Sequence, residues 1–147
     1  MILISHRGNI NGIDVDNENN PLYIDRALGK GYDVEVDVWY VNGKWYLGHD
    51  EPTYEIELDY LKDNNLWCHA KNIEALNVML DNDIHCFWHQ EDDVTLTSKG
   101  YIWTYPGKKL KSNSIVVMPE KYLEKWWRHN FNNCSGICSD YIINYEE

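Results

Sequence analysis

The sequence predicts an α/β fold: a compact or truncated (βα) TIM-like barrel with shortened helices and a β-hairpin after the second strand. Three observations predict it. Short apolar or alternating runs recur along the 147 residues, helix-like segments with recognisable caps separate several of them, and polar residues gather where strands end. Alternation of β and α favours a parallel sheet with helices outside it, and eight strand candidates suggest closure. Eight βα units typically take ~250 residues, about 31 each, whereas this chain leaves about 18. Several helices must therefore shrink to turns, within a single domain spanning 1–147.

The elements follow in order. Residues 2–5 are apolar, and Met1 to Arg7 has no charged region ahead of that run, so it reads as a first strand rather than a signal peptide. Asn20-Pro21 offers an N-cap with Pro at the first helical position; Ile24, Ala27 and Leu28 share a face, and Gly29 and Gly31 can stop the helix. Runs 32–41 and 45–48 form the second strand and its hairpin partner, and a short helix-like piece lies at about 56–61. Strand 66–70 precedes a helix capped by Asn72 with Ile73, Leu76 and Leu80 as its stripe. Runs 85–89, 101–104, 114–118 and 136–139 are the remaining strands. Pro119 opens a third helix with Tyr122, Leu123, Trp126 and Trp127 facing inward, and His129 sits at its exposed end.

Composition excludes whole classes of partner. Lys and Arg total 13 against 24 Asp and Glu, for a formal charge of −11. Basic residues cluster only at Lys108-Lys109-Leu110-Lys111, so neither nucleic acid nor a membrane surface is an expected partner. No apolar stretch approaches the roughly 18 residues of a membrane span. Cys68, Cys86, Cys134 and Cys138 fit no common metal or redox spacing, which favours reduced thiols and a cytoplasmic location. Trp88, Trp103, Trp126 and Trp127 read as core.

The charges are the informative part. In Asp33-Val34-Glu35-Val36-Asp37-Val38-Trp39 the valines point one way and the acids the other. Buried carboxylates repel one another and are costly to desolvate, so that face needs a cation or solvent. Strand 66–70 places Trp67, His69 and Lys71 on one face. His6-Arg7 ends the first strand and Gly48-His49-Asp50 ends the hairpin. Sites of βα barrels assemble at such C-terminal strand ends. Trp39 and Trp67, on the polar faces, are candidate pocket walls, with His89 near the end of its strand. His85 lies about 13 Å from His89 on an extended strand, so the pair cannot share a metal, and it reads as a core histidine. Glu91 is a candidate for a missing ligand, and Asp140 for orienting a histidine or capping a turn.

His6-Arg7-Gly8, Glu18-Asn19, Glu35-Val36-Asp37 and Gly48-His49-Asp50 together resemble, in this order, the glycerophosphodiester phosphodiesterase family. Ala70-Lys71 and the closing Gly136-Ile137-Cys138-Ser139-Asp140-Tyr141 resemble its later strands. The resemblance implies a metal-dependent phosphodiester hydrolase with a small-molecule substrate. It implies His6 and His49 as the general base and acid pair, and Arg7 and Lys71 as phosphate ligands. It also implies one divalent cation on Glu35 and Asp37, Mg2+ or Ca2+ by the oxygen donors. His69 stands where the family usually has a third acidic ligand, and a nitrogen donor shifts the expected metal towards Mn2+ or Zn2+. Competing expectations are a degenerate barrel that binds a phosphorylated ligand without turnover, a phospholipase-D-type relative acting on a choline lipid, and a partner-binding module built on the Trp-rich second half.

Overall fold

A computed structural model of the chain describes residues 1–122 and 131–146. In chain order the elements are β1 (Ile2–His6), α1 (Pro21–Gly29), β2 (Asp33–Val41), β3 (Lys44–Leu47), β4 (Tyr54–Ile56), β5 (Leu66–Ala70), α2 (Ile73–Asp81), β6 (Cys86–Phe87), β7 (Val94–Leu96), β8 (Ile102–Thr104), β9 (Ser114–Val117) and β10 (Gly136–Ser139). One sheet holds all ten strands. Its parallel core runs β6-β5-β2-β1-β10-β9-β8, with β3 and β4 added antiparallel beyond β2, and β7 antiparallel beyond β8.

The architecture is mixed α/β with a curled sheet. A full barrel of alternating βα units is not what these residues form: among them, only the β1–β2 and β5–β6 connections carry an α-helix. Pro119–Lys121 is a 3-10 turn, entered through Met118 in the left-handed region, and Tyr122 after it is extended and exposed, so the expected helix does not open at Pro119 with Tyr122 facing inward. Leu123, Trp126, Trp127 and His129 lie outside the described residues. The expected helical piece at 56–61 resolves into β4, which extends the hairpin, followed by a 3-10 turn over Leu58–Lys62. β7 lies outside the expected strand set. The run 85–89 keeps only two ladder residues, because its continuation is held by a side chain: Thr95 Oγ1 donates to Trp88 O at 2.9 Å.

Strand alternation sorts the side chains into two layers. Val34, Val36 and Val38 of β2, with Leu66, Cys68 and Ala70 of β5, face outward and pack with Ile24, Ala27, Ala75 and Met79 of the helices. On α2 the sheet selects the Ala75–Met79 side, where a small residue permits close approach. Ile73 and Leu80, expected on the apolar stripe, stay exposed. Inside the curl lie Ile4, Trp67, Phe87, Trp103, Ile115, Val117 and Cys138. The Phe87 and Trp103 rings are 4.7 Å apart, and Ser98 N–H donates to Cys86 O at 2.8 Å, so the far limb folds back towards β6. This plug fills the lower part of the curl, and the charged side chains that line the cleft lie above it, towards the C-terminal ends of the strands. All four cysteines are free thiols. Among the described residues, no helix is long and apolar enough to cross a membrane.

The caps read from the sequence are present. Asn20 Oδ1 accepts from Leu22 N at 3.0 Å, and Asn72 Oδ1 accepts from Ala75 N at 3.2 Å. Asn72 also bridges to β2, with Oδ1 accepting from Tyr40 N and Nδ2 donating to Tyr40 O. One side chain thus starts α2 and ties it to the sheet. Replacing it, Asn72→Ala, is expected to cost about 2 kcal/mol from the lost cap and bridge. Thermal or urea unfolding measures this directly, and a change under about 0.5 kcal/mol would contradict the assigned role.

Candidate functional site

The C-terminal ends of β1, β2, β5 and β10 open into a cleft of about 920 Å3 whose lining includes His6, Arg7, Glu35, His69, Lys71 and Asp140. His6, Glu35 and His69 come from the inner face of their strands, while Arg7, Lys71 and Asp140 lie just past the strand ends. The parallel register sets Glu35 beside His6 on one side, and Asp37 beside His69 on the other. Alternation in the second strand therefore delivers its acids to the inside, as the sequence leads one to expect.

Glu35, Asp37 and His69 form the centre of the site, with one ligand atom from each lying within 4.8 Å of the others. His69 Nε2–H donates to His89 O at 3.1 Å. In the neutral ring that assignment leaves a lone pair on Nδ1. Nδ1 lies 3.2 Å from Asp37 Oδ1 and 3.7 Å from Glu35 Oε1. Two anionic oxygens and a lone pair thus face one point, an arrangement that calls for a cation. Glu35 Oε2 and Asp37 Oδ1 are buried without a hydrogen-bond partner. Buried polar atoms are rarely left so. The donor set, two carboxylates and one imidazole, fits a divalent metal ion.

The two acids differ in their surroundings. Asp37 Oδ2 accepts from Asn19 Nδ2 at 2.9 Å, and Asn19 Oδ1 accepts from Asp37 N at 2.9 Å. Arg7 Nε lies 2.9 Å from the same oxygen and Lys71 Nζ 3.7 Å from the other. Burial alone would raise the Asp37 pKa, but a hydrogen bond from His69 when Nδ1 carries a proton, together with the Arg7 and Lys71 charges, holds it well below the usual carboxylate range. Glu35 is pushed the other way, by burial first and by the Asp37 charge second. Glu35 is therefore the acid in greatest need of a counter-charge.

A second network orients His6. Its Nδ1–H donates to Asp140 Oδ1 at 2.7 Å, leaving Nε2 facing Glu35 Oε2 at 3.8 Å. Asn9 Nδ2 bridges Asp140 Oδ1 and Glu18 Oε1, both at 2.8 Å, and Glu18 Oε2 accepts from Arg7 Nη1. These bonds from His6 and Asn9 lower the Asp140 pKa against the effect of burial. Arg7 itself sits at φ 55, and a Cβ at Gly8 would lie 2.6 Å from the Tyr23 ring, so the backbone here is tightly specified.

His49 reaches the same cleft from the hairpin. Trp39 Nε1–H donates to Gly48 O at 2.7 Å and pins the turn. A Cβ at Gly48 would fall 2.1 Å from Glu51 O, so glycine is required there. His49 Nδ1–H donates to Asp50 Oδ1 at 2.7 Å. Each candidate histidine thus has one nitrogen tied to an aspartate and one left for chemistry.

Other expected residues fall differently. Trp39 supports the His49 turn instead of lining the cleft, and Trp67 is part of the inner plug, its Nε1–H donating to Asp33 Oδ2 at 2.9 Å. His89 does line the cleft, hydrogen-bonded to the Tyr105 hydroxyl, with burial lowering its pKa. His85 bonds Thr97 Oγ1 at 2.8 Å and packs its ring tilted against Trp67, with burial pushing its pKa down to about 4. Glu91 is exposed and outside the lining. Asn9 is absent from the expected site residues, and Asn19 enters them only within the Glu18-Asn19 motif, with no role assigned. Their signal was position: amides in the loop after β1, which become fully buried and so must bond to something.

Glu35→Gln removes a buried charge while keeping its shape. In metal-free protein this is expected to raise the melting temperature, by roughly 2–4 °C per ~1 kcal/mol relieved. The folded protein holds the Glu35 proton more tightly than the unfolded chain does, so that contribution to stability is present at low pH and is lost as pH rises through the folded value. The variant is expected to lack this slope and to gain less stability from added Mn2+ than the parent. Scanning calorimetry at several pH values, with and without Mn2+, measures both. No family model, curated protein or solved structure matches the chain.

Proposed function

We propose that the chain is a metal-dependent phosphodiester hydrolase acting on a small glycerophosphodiester-like substrate, and that its curled sheet is a compact relative of the βα barrel. One observation carries this reading: Glu35, Asp37 and His69 converge with unpartnered buried oxygens in a cleft that His6 and His49 also line. Glu35, Asp37 and His69 would hold the divalent ion, which when bound supplies charge neutralisation for the phosphoryl group.

The rest belongs to the chain. His6, its Nδ1–H held by Asp140, presents Nε2 as a base and takes the proton from the attacking hydroxyl, of water or of the substrate itself. The bond from phosphorus to the leaving alcohol oxygen breaks, and protonated His49 gives its proton to that oxygen. Lys71, only loosely held at 3.7 Å from Asp37, can turn to a non-bridging phosphate oxygen. Arg7 is largely engaged by Asp37 and Glu18, which favours a role in fixing the acids over one in gripping phosphate.

The test is hydrolysis of glycerophosphocholine and of an aryl phosphodiester, titrated with Mg2+, Ca2+ and Mn2+. Turnover lost with chelator is expected, with Mn2+ favoured because of the imidazole donor. His49→Ala is expected to lower kcat by roughly 10²–10⁴. Metal-dependent binding of the diester without turnover would instead support a catalytically degenerate binder. Absence of both would overturn the reading.

A further inference from the structure

The cleft has an apolar rim that the phosphate chemistry does not use. Ile13 and Val15 are 57% and 77% exposed, yet both line the cleft, together with Tyr54 of β4. They do not sit on a loose loop. Gly12 N–H donates to Asp140 O at 2.8 Å, and Asp14 N–H to Asn9 Oδ1 at 3.2 Å. Asn17 and Glu18 N–H both donate to Asp14 O, and the Tyr54 hydroxyl meets Asp16 O at 3.5 Å. Bonds on either side of Ile13 and Val15 hold the backbone that carries them, and both line the same cleft as His49 of the hairpin turn. Scattered exposed apolar residues are ordinary. Two on a rigid segment at the mouth of a polar cleft are a binding surface prepared in advance.

We infer that Ile13, Val15 and Tyr54 form a subsite for a hydrocarbon group on the alcohol side of the phosphodiester, so that the substrate class is alkyl-bearing phosphodiesters. This rests on the hydrolase reading, in which His49 stands beside the leaving alcohol. The occupant is one dissolved substrate molecule and not a bilayer. The same rim carries Asp14, Asp16, Asp50 and Glu51, which repel an anionic surface.

The probe is a series of glyceryl n-alkylphosphonates from ethyl to hexyl, whose P–C bond does not cleave. Binding is measured calorimetrically with the Mn2+-loaded protein below the micellar range. Kd is expected to fall about two- to fourfold per methylene, for half to full burial of each. Ile13→Ser combined with Val15→Ser flattens that slope. Leu80→Ser, an exposed apolar change on α2 outside the cleft, leaves it intact. A Kd independent of chain length, a slope that survives the double variant, or no binding of any member overturns the inference. The hydrolase reading is scored separately: turnover of the ethyl phosphodiester with a flat binding slope sinks only the subsite. A steep slope without turnover sinks only the hydrolysis.

Discussion

The convergence of two buried carboxylates with an imidazole lone pair governs everything above it. Placing Glu35 and Asp37 on the inner face of one strand puts like charges where water cannot screen them. Much of the neighbouring polar structure answers that stress. Asn19 clamps Asp37 through both amide atoms, Arg7 and Lys71 lean on it, and the His89 carbonyl sets the His69 tautomer. Glu35 is the member these groups leave unanswered. A fold that tolerates such an imbalance is less stable than an apolar equivalent, which is the usual mark of residues retained for chemistry.

The supporting shell gives His6, His49 and His69 one orienting partner each. Asp140 serves His6, Asp50 serves His49, and His89 O serves His69. The partners lie on different elements from the inner acids, so the geometry of the cleft depends on strand register. The aromatic plug below, in which Trp67 and Phe87 both pack on Trp103, fills the space between those strands. Packing and polar order are thus divided between two levels of the same curl.

Much of this was legible in the sequence. Period-2 alternation in 33–38 and 66–71 correctly separates the outward Val34, Val36, Leu66 and Cys68 from the inward Glu35, Asp37, Trp67 and His69. Asn20 and Asn72 mark their helices because a cap is a local signal. What escaped was set by tertiary context. β4 and β7 are three residues each, too short for a periodic pattern, and exist because a neighbouring strand offers an edge. The buried face of α2 depends on how closely the helix approaches the sheet, so Ala75 outranks the larger Ile73. Trp39 and Trp67 share polar strand faces yet serve a turn and the plug, because height within the curl, and not face alone, decides what reaches the opening.

The pairing of β1 with β10 carries a further consequence for how the protein comes into being. His6 and the Asp140 that aims it are 134 positions apart, joined by neighbouring parallel strands from opposite ends of the chain. Closing so long a loop is entropically expensive and slow compared with local pairing. During synthesis the helices and hairpin can form early, but His6 has no carboxylate to steer it until Asp140, which follows β10, has left the ribosome. Assembly of the cleft therefore waits on the pairing of β10 with β1.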